Sequence, residues 1–139
     1  KYNSDMLEGN IISCIQAIIR DDYDFLEKQI QINEEKIASK KSGQWILPDL
    51  EFFKAFVNKD KDKMEAVILK LATKDHKKRN KHSSNKDFIS IPAITYAKLA
   101  WLKGIEVDID TPLVPKQLLP IIANEEYWQY DFMKKRRSL

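Results

Sequence analysis

The stretch FISIPAITYAKLAWLKGIEVDIDTPLVPKQLL, residues 88–119, decides the fold of this chain. Its first half is apolar on almost every side of a helix and ends at Gly104. From Ile91 onward the polar interruptions are few: Thr95, Lys98 and Lys103. A helix that is apolar on most sides is usually enclosed by other helices. The pattern therefore predicts a central helix over residues 88–103 with other helices packed around it.

The residues after Gly104 change from a helical to an extended pattern. Apolar and acidic residues alternate there, with Ile105, Val107 and Ile109 between Glu106, Asp108 and Asp110. A period of two is typical of an extended segment with one side packed and the other in water. Two prolines, Pro112 and Pro115, then frame a turn that leads into a short helix in PKQLLP.

Apolar residues recur at intervals of three and four upstream of this stretch, which predicts four more helices. They cover residues 4–20, a segment from Tyr23, a segment from Pro48 and a segment near Asp62. We expect Gly43 to end the second helix in a left-handed turn and Asp62 with Glu65 to form a capping box. Short links predict antiparallel hairpins. The expected fold is all-α, with helical hairpins packed around the central apolar helix.

The composition bounds the kind of protein. A length of 139 residues fits a single helical domain, residues 1–139, which could be the C-terminal part of a longer chain because it begins with Lys1. A hydrophobic content of 43% with 32% charged residues favours a soluble globular protein. Cys14 is the one cysteine, and its apolar neighbours predict a buried, inert thiol in a reducing compartment. We expect a cytoplasmic location.

The basic segment, residues 74–86, offers a second possible interaction site. Clustered cations bind phosphates, so the run from Lys74 to Lys81 could contact nucleic acid. Against this, no aromatic residue lies among the cations to stack on bases, and the net charge is only +3. His76 and His82 match no zinc spacing, so we expect no metal site there.

Acidic and aromatic residues form the remaining candidates. The carboxylates of Glu106, Asp108 and Asp110 could face a cationic partner or could simply be hydrated. The run EEYWQYDF, residues 125–132, is rich in the side chains that dominate protein interfaces. The same aromatics have helical spacing and could instead fill the core. No motif of a nucleophilic enzyme or a phosphate-binding loop is present.

The deciding stretch resembles the C-terminal signature of bacterial polymorphic-toxin immunity proteins. The similar elements are an alanine-rich helix at residues 91–102, the exit GIEVD at residues 104–108, and the proline-framed residues 112–119. The segment DKDKMEAVILKLA, residues 60–72, resembles the helical pair expected just upstream. The resemblance covers residues 49–119.

This resemblance implies an all-helical cytoplasmic antitoxin that binds a cognate toxin protein and neutralises it by occlusion. It implies no catalytic residue and no cofactor, and no membrane or metal is expected. We place the partner-binding residues on the exit segment and near the C-terminus: Glu106, Asp108, Asp110, Glu125, Glu126, Tyr127 and Trp128. The alternative is a helical nucleic-acid-binding or adaptor domain that uses residues 74–81. An enzyme with an unrecognised helical active site is the third hypothesis.

Overall fold

The structure, a computed structural model, describes residues 7–39, 41–73, 79 and 84–122. Five α-helices and two 3-10 helices make up the regular structure of these residues, and they contain no strand. The α-helices are α1 (Leu7–Ile19), α2 (Tyr23–Ser39), α3 (Leu47–Val57), α4 (Lys61–Leu71) and α5 (Ile91–Leu102). The 3-10 helices are Lys41–Ile46 and Lys116–Leu118. The predicted all-α fold is confirmed.

Two helical hairpins form the body of the molecule. Helix α1 packs along α2, and α3 packs along α4. Each hairpin turns at a residue with positive φ, Asp21 at 59° and Lys59 at 54°. In the first turn Asp22 accepts a hydrogen bond from the backbone N–H of Phe25 at 3.2 Å, which satisfies a free amide at the start of α2. Helix α5 then packs against α4 and α1, as expected for helical hairpins around a central helix.

Helix α5 contributes small and aromatic side chains to the core. Its buried residues are Ala93, Tyr96, Ala97, Leu99 and Ala100. The ring of Tyr96 stacks on Phe52 with 4.3 Å between centroids and meets Phe53 edge-on at 5.6 Å. The alanines allow neighbouring helices to approach closely, and the three rings fill the space between α3 and α5.

The expectation that α5 is enclosed on all sides is only partly correct. Ile91 and Leu102, at its two ends, are 42% and 46% exposed. Among the described residues, α1, α3, α4 and the segment after Gly104 cover the inner side of α5 and leave another side open. An apolar pattern indicates that a helix packs against other segments, but it does not indicate which segments these are.

Several predicted helix ends are corrected by the structure. Helix α5 begins at Ile91 rather than at Phe88, because Ser90 caps it and Pro92 occupies its first turn. The N-cap of α4 is Asp60, whose Oδ1 accepts from the backbone N–H of Lys63 at 3.1 Å. Asp62 lies inside that helix, so the predicted capping box with Glu65 is wrong.

The predicted left-handed turn at Gly43 is also wrong. This glycine lies within the 3-10 helix Lys41–Ile46 that leads into α3. A 3-10 helix keeps φ negative, so its backbone does not need the freedom of glycine there. The start of α3 agrees with prediction, because Pro48 lies in its first turn.

Cys14 is fully buried in the core, as predicted. Burial and, to a smaller extent, the nearby negative charge of Asp49 together raise the pKa of its thiol to about 12. A thiol that stays protonated is a poor nucleophile, so this cysteine is chemically inert.

No helix within the described residues is both long enough and apolar enough to cross a bilayer.

Candidate partner-binding surface

Gly104 ends α5 and sets the direction of the segment that follows. Its φ is +76°, a left-handed conformation that glycine adopts without steric cost. The N–H of Gly104 donates to the carbonyl of Trp101 at 3.0 Å, and the N–H of Ile105 donates to that of Ala100 at 2.9 Å. These two bonds form a Schellman motif, which satisfies carbonyls at the end of the helix. The chain therefore leaves α5 in a defined direction.

The exit segment, residues 105–110, has no regular secondary structure, and its buried and exposed residues alternate as predicted. Val107 and Ile109 are buried at 1% and 0% exposure. Glu106, Asp108 and Asp110 are exposed on its other side. The buried side chains belong to the main hydrophobic core, so the backbone that carries the acids is packed against that core.

Two side chains hold the backbone of the exit segment in place. The indole Nε1 of Trp101 donates to the carbonyl of Val107 at 3.0 Å. The backbone N–H of Asp108 donates to Oε1 of Glu65, on α4, at 2.7 Å. Within the described residues no neighbouring strand bonds to this segment, and these two hydrogen bonds with side chains hold its backbone instead. The exit segment is thus fixed to α4 and α5 without forming a sheet.

The three carboxylates differ in their surroundings. Lys116 Nζ lies 2.8 Å from Oδ1 of Asp108 and holds the pKa of that carboxyl below its usual value. The pKa of Lys116 rises because it hydrogen-bonds Asp108, and the charge of Asp110 adds to that rise. Both members of the pair are largely exposed, so their attraction is weakened by water. The charge of Asp108 is partly balanced within the chain.

A shallow hollow of about 350 Å³ lies beside the exit segment. Asp110, Thr111, Pro112, Lys116 and Gln117 are among the residues that line it. Its wall combines charged and polar groups with the rigid proline ring. A depression of this kind can receive a side chain of a partner protein.

The other predicted partner-binding residues, Glu125, Glu126, Tyr127 and Trp128, lie outside the described residues. The described chain reaches Ile122, and the structure fixes the residues just before it. Lys98 Nζ donates to the carbonyls of Leu118, Leu119 and Pro120 at 2.8, 3.2 and 2.8 Å. The structure therefore brings together the three acids of the exit segment but does not place the four residues nearer the C-terminus.

Arg79 is the described residue of the cationic run 74–81, and it points inward. Its terminal nitrogens bind both carboxylate oxygens of Asp49, with 3.2 Å between Nη1 and Oδ1. The guanidinium also donates to the carbonyl of Trp45 at 2.7 Å and lies 5.6 Å from the centroid of that indole ring. This arginine is engaged within the protein and is not presented to a phosphate. His76 and His82 lie outside the described residues.

The buried carboxylate of Asp49 was missed by the sequence analysis. It is 2% exposed and binds both Arg79 and the hydroxyl of Tyr96. Burial raises the pKa of Tyr96, and the charge of Asp49 and its hydrogen bond to the hydroxyl act in the same direction. One signal was available: a tyrosine inside an apolar helix needs a polar partner for its hydroxyl. That partner is Asp49, which lies far from Tyr96 in the sequence, so residue spacing could not identify it.

Across the part of the chain that the structure describes, no group of three or more histidine, cysteine or acidic side chains is arranged to hold a metal ion. The acids of the exit segment do not converge, because they share one side of an extended backbone and one of them pairs with Lys116. The arrangement fits contact with a macromolecule.

Comparison with known proteins identifies the family. A family model described as Immunity protein 49, Imm49, matches residues 5–118. No curated protein sequence and no solved structure gives a significant match to the chain. The matched region contains all five helices and the exit segment, and it ends within the short 3-10 helix Lys116–Leu118. The resemblance to immunity proteins is confirmed over most of the chain, which belongs to the Imm49 family of immunity proteins.

Proposed function

We propose that this protein binds a cognate toxin of a bacterial polymorphic toxin system and neutralises it by covering a surface that the toxin needs. Membership of an immunity protein family supports a toxin as the partner. We also propose that it acts in the cytoplasm and by binding rather than by catalysis. Occlusion requires a rigid surface of complementary shape and charge, and a catalytic centre plays no part in it.

The observation that carries the proposal is the exit segment with its exposed acids. Glu106 and Asp110 stand on a backbone whose intervening side chains, Val107 and Ile109, are fully buried. A preorganised surface loses little conformational entropy on binding, which favours affinity. Exposed carboxylates on such a surface fit a cationic patch on the toxin and would accelerate its encounter with this protein.

We place the edge of the same interface at Glu125, Glu126, Tyr127 and Trp128. Interfaces commonly combine aromatic anchors with a charged rim, and this run contains both types of residue. The proposal for these four residues rests on composition and on their position in the chain, a few residues beyond the segment that Lys98 fastens.

Nucleic acid is not favoured as the partner. The alternative relies on the five cations of residues 74–81, and the one that the structure describes, Arg79, is bound to Asp49 and packed beside Trp45. A toxin protein remains the partner that the described surface fits best.

Reversal of charge on the exit segment tests the proposal. The toxin domain encoded next to this gene is purified, and its association rate with the double variant Glu106→Lys, Asp110→Lys is measured by surface plasmon resonance at low and physiological salt. We expect association to slow by about tenfold or more at low salt, because the electrostatic attraction becomes repulsion. Asp108 is left intact since it pairs with Lys116.

The control is a second double variant with the same change in total charge. Glu27→Lys and Glu35→Lys lie on α2 and both positions are exposed. At physiological ionic strength, charges more than about 8 Å apart are largely screened. A difference in association rate between the two variants under that condition therefore reports charges that lie close to the toxin. Equal association rates for the two variants would remove the exit segment from the interface.

A further inference from the structure

One side of α5 is apolar but open to solvent. Together with α1 and the short 3-10 helix it forms a groove of about 420 Å³, here named the α1–α5 groove. Its apolar lining residues are Ile15, Ile19, Ile94, Leu99, Leu102 and Leu118. Lys98 and Thr95 supply its polar lining.

The exposed side chains in this groove are unusually large and apolar. Ile19, Leu102 and Leu118 are 51%, 46% and 49% exposed, and they come from three separate elements. Ile12, one α1 turn before Ile15, is 50% exposed. Single apolar residues on a surface are ordinary, but a contiguous patch marks a surface that something else covers.

The last residues that the structure describes lie beside this groove. Leu118 lines the groove, and Lys98 from the same groove binds the carbonyls of residues 118–120. The next two residues, Ile121 and Ile122, are 46% and 82% exposed. The chain thus continues beyond Ile122 from a point only four residues after a groove side chain.

The sequence beyond Ile122 has the composition of a segment that fits an apolar groove. Residues 123–139 contain six large apolar or aromatic side chains, five of them grouped in residues 127–133: Tyr127, Trp128, Tyr130, Phe132 and Met133. The members of each of the pairs 127–130 and 128–132 have helical spacing, three and four residues apart. The run KKRR at residues 134–137 follows and suits solvent.

We propose that residues 123–139, here named the C-terminal segment, dock on the α1–α5 groove through these aromatic side chains. The docking covers the open side of α5 and explains why that helix is apolar on most of its sides. The inference goes beyond the proposed function and does not require a toxin. The family match ends at residue 118, so the cover comes from a part of the chain outside the matched region.

Docking also has a consequence for the partner-binding surface. The 3-10 helix Lys116–Leu118 carries both Lys116, which pairs with Asp108, and Leu118, which lines the groove. A docked C-terminal segment therefore begins beside the exit segment. Under this inference the rings of Tyr127 and Trp128 are taken up by the groove, so Glu125 and Glu126 are the members of the second group of predicted partner-binding residues that stay available to a partner beside the exit segment.

Limited proteolysis of the full-length protein tests the inference. Chymotrypsin cleaves after the aromatic residues, and mass spectrometry measures the rate of cleavage after Tyr127, Trp128, Tyr130 and Phe132. A synthetic peptide of residues 120–139 gives the rate without the groove. We expect cleavage in the full-length protein to be slower by about tenfold or more, because cleavage follows the population of the undocked state.

A groove variant and a matched control make the test specific. Ile19→Lys with Leu102→Lys places two charges in the groove at exposed positions, and we expect cleavage to approach the rate of the peptide. Phe25→Lys with Leu69→Lys changes two similarly exposed apolar residues, 41% and 39%, away from the groove. We expect this control to keep the slow rate. Circular dichroism verifies that both variants are folded.

Three results would overturn the inference. The first is cleavage of the unmodified protein as fast as the peptide. The second is equal protection in the groove variant and its control. The third is protection that appears only at concentrations where analytical ultracentrifugation detects a dimer, which would mean that a second copy covers the groove.

Discussion

Arg79 and Asp49 form a buried ion pair that ties the segment after α4 to the start of α3. The side chain of Asp49 is 3% exposed and that of Arg79 is 19% exposed, so little water reaches either charge. Tyr96 donates a further hydrogen bond to the same carboxylate. Burial of a charge is costly unless it is paired and hydrogen-bonded, and here both conditions are met.

We predict that Arg79→Ala lowers the free energy of unfolding by about 3 kcal/mol, because it leaves the carboxylate of Asp49 buried without its cation. Urea denaturation followed by circular dichroism measures this loss. Lys70→Ala is the control, since Lys70 pairs with Glu51 at 3.4 Å on the surface and both side chains are about half exposed. A loss no larger than that of the control would show that the buried pair contributes little.

At the level of single residues, patterns that repeat over a few positions could be predicted from the sequence. Contacts between residues that are distant in the sequence could not. The alternation of Ile105, Val107 and Ile109 with acids is visible in six residues, and the structure buries Val107 and Ile109 fully and Ile105 partly. The contact between Asp49 and Arg79 joins residues thirty positions apart. No spacing rule connects such residues, because the contact depends on how the segment after α4 packs against the start of α3.

Helix ends depend on single capping groups. Ser90 accepts a hydrogen bond from the backbone N–H of Ala93 at 3.4 Å and donates one to the carbonyl of Leu71 at 3.2 Å. It therefore caps the start of α5 and satisfies a carbonyl at the end of α4. Ser90 is completely buried, so water cannot replace either bond.

We predict that Ser90→Ala lowers the free energy of unfolding by about 1 to 2 kcal/mol. The substitution removes the N-cap of α5 and leaves the buried carbonyl of Leu71 without the hydrogen bond from Ser90. Urea denaturation gives the value. Ser84→Ala, in the exposed turn before α5, makes the same chemical change and should leave stability nearly unaltered. Indistinguishable denaturation midpoints for the two variants would contradict the assigned role of Ser90.

The positions of the helices were predictable, but several of their ends were not. Apolar residues spaced by three and four located all five helices, because a packed helix side repeats over many residues. The N-cap of α4 was assigned to Asp62 instead of Asp60, since both acids lie near the start of the helix and the sequence does not show which backbone is still non-helical. In the structure Asp60 has ψ of 87°, outside the helical range.

At the scale of the whole molecule, two helical hairpins and α5 form a scaffold that supports the exit segment. Pro112 and Pro115 limit the backbone freedom of the turn beyond it, and Lys98 secures the residues that follow. The sequence predicted the exposed acids and their partner class through a family resemblance. Spacing and composition alone could not have identified a toxin, because immunity proteins that act by occlusion need no shared catalytic residues.

The most direct test of the central claim is growth of bacteria that express the toxin domain encoded beside this gene, with and without this protein. We predict that co-expression restores growth and that the purified proteins form a complex with Kd below about 1 µM. Continued growth arrest while the protein accumulates in soluble, folded form, together with no detectable complex, would contradict the claim that it neutralises a toxin by binding it.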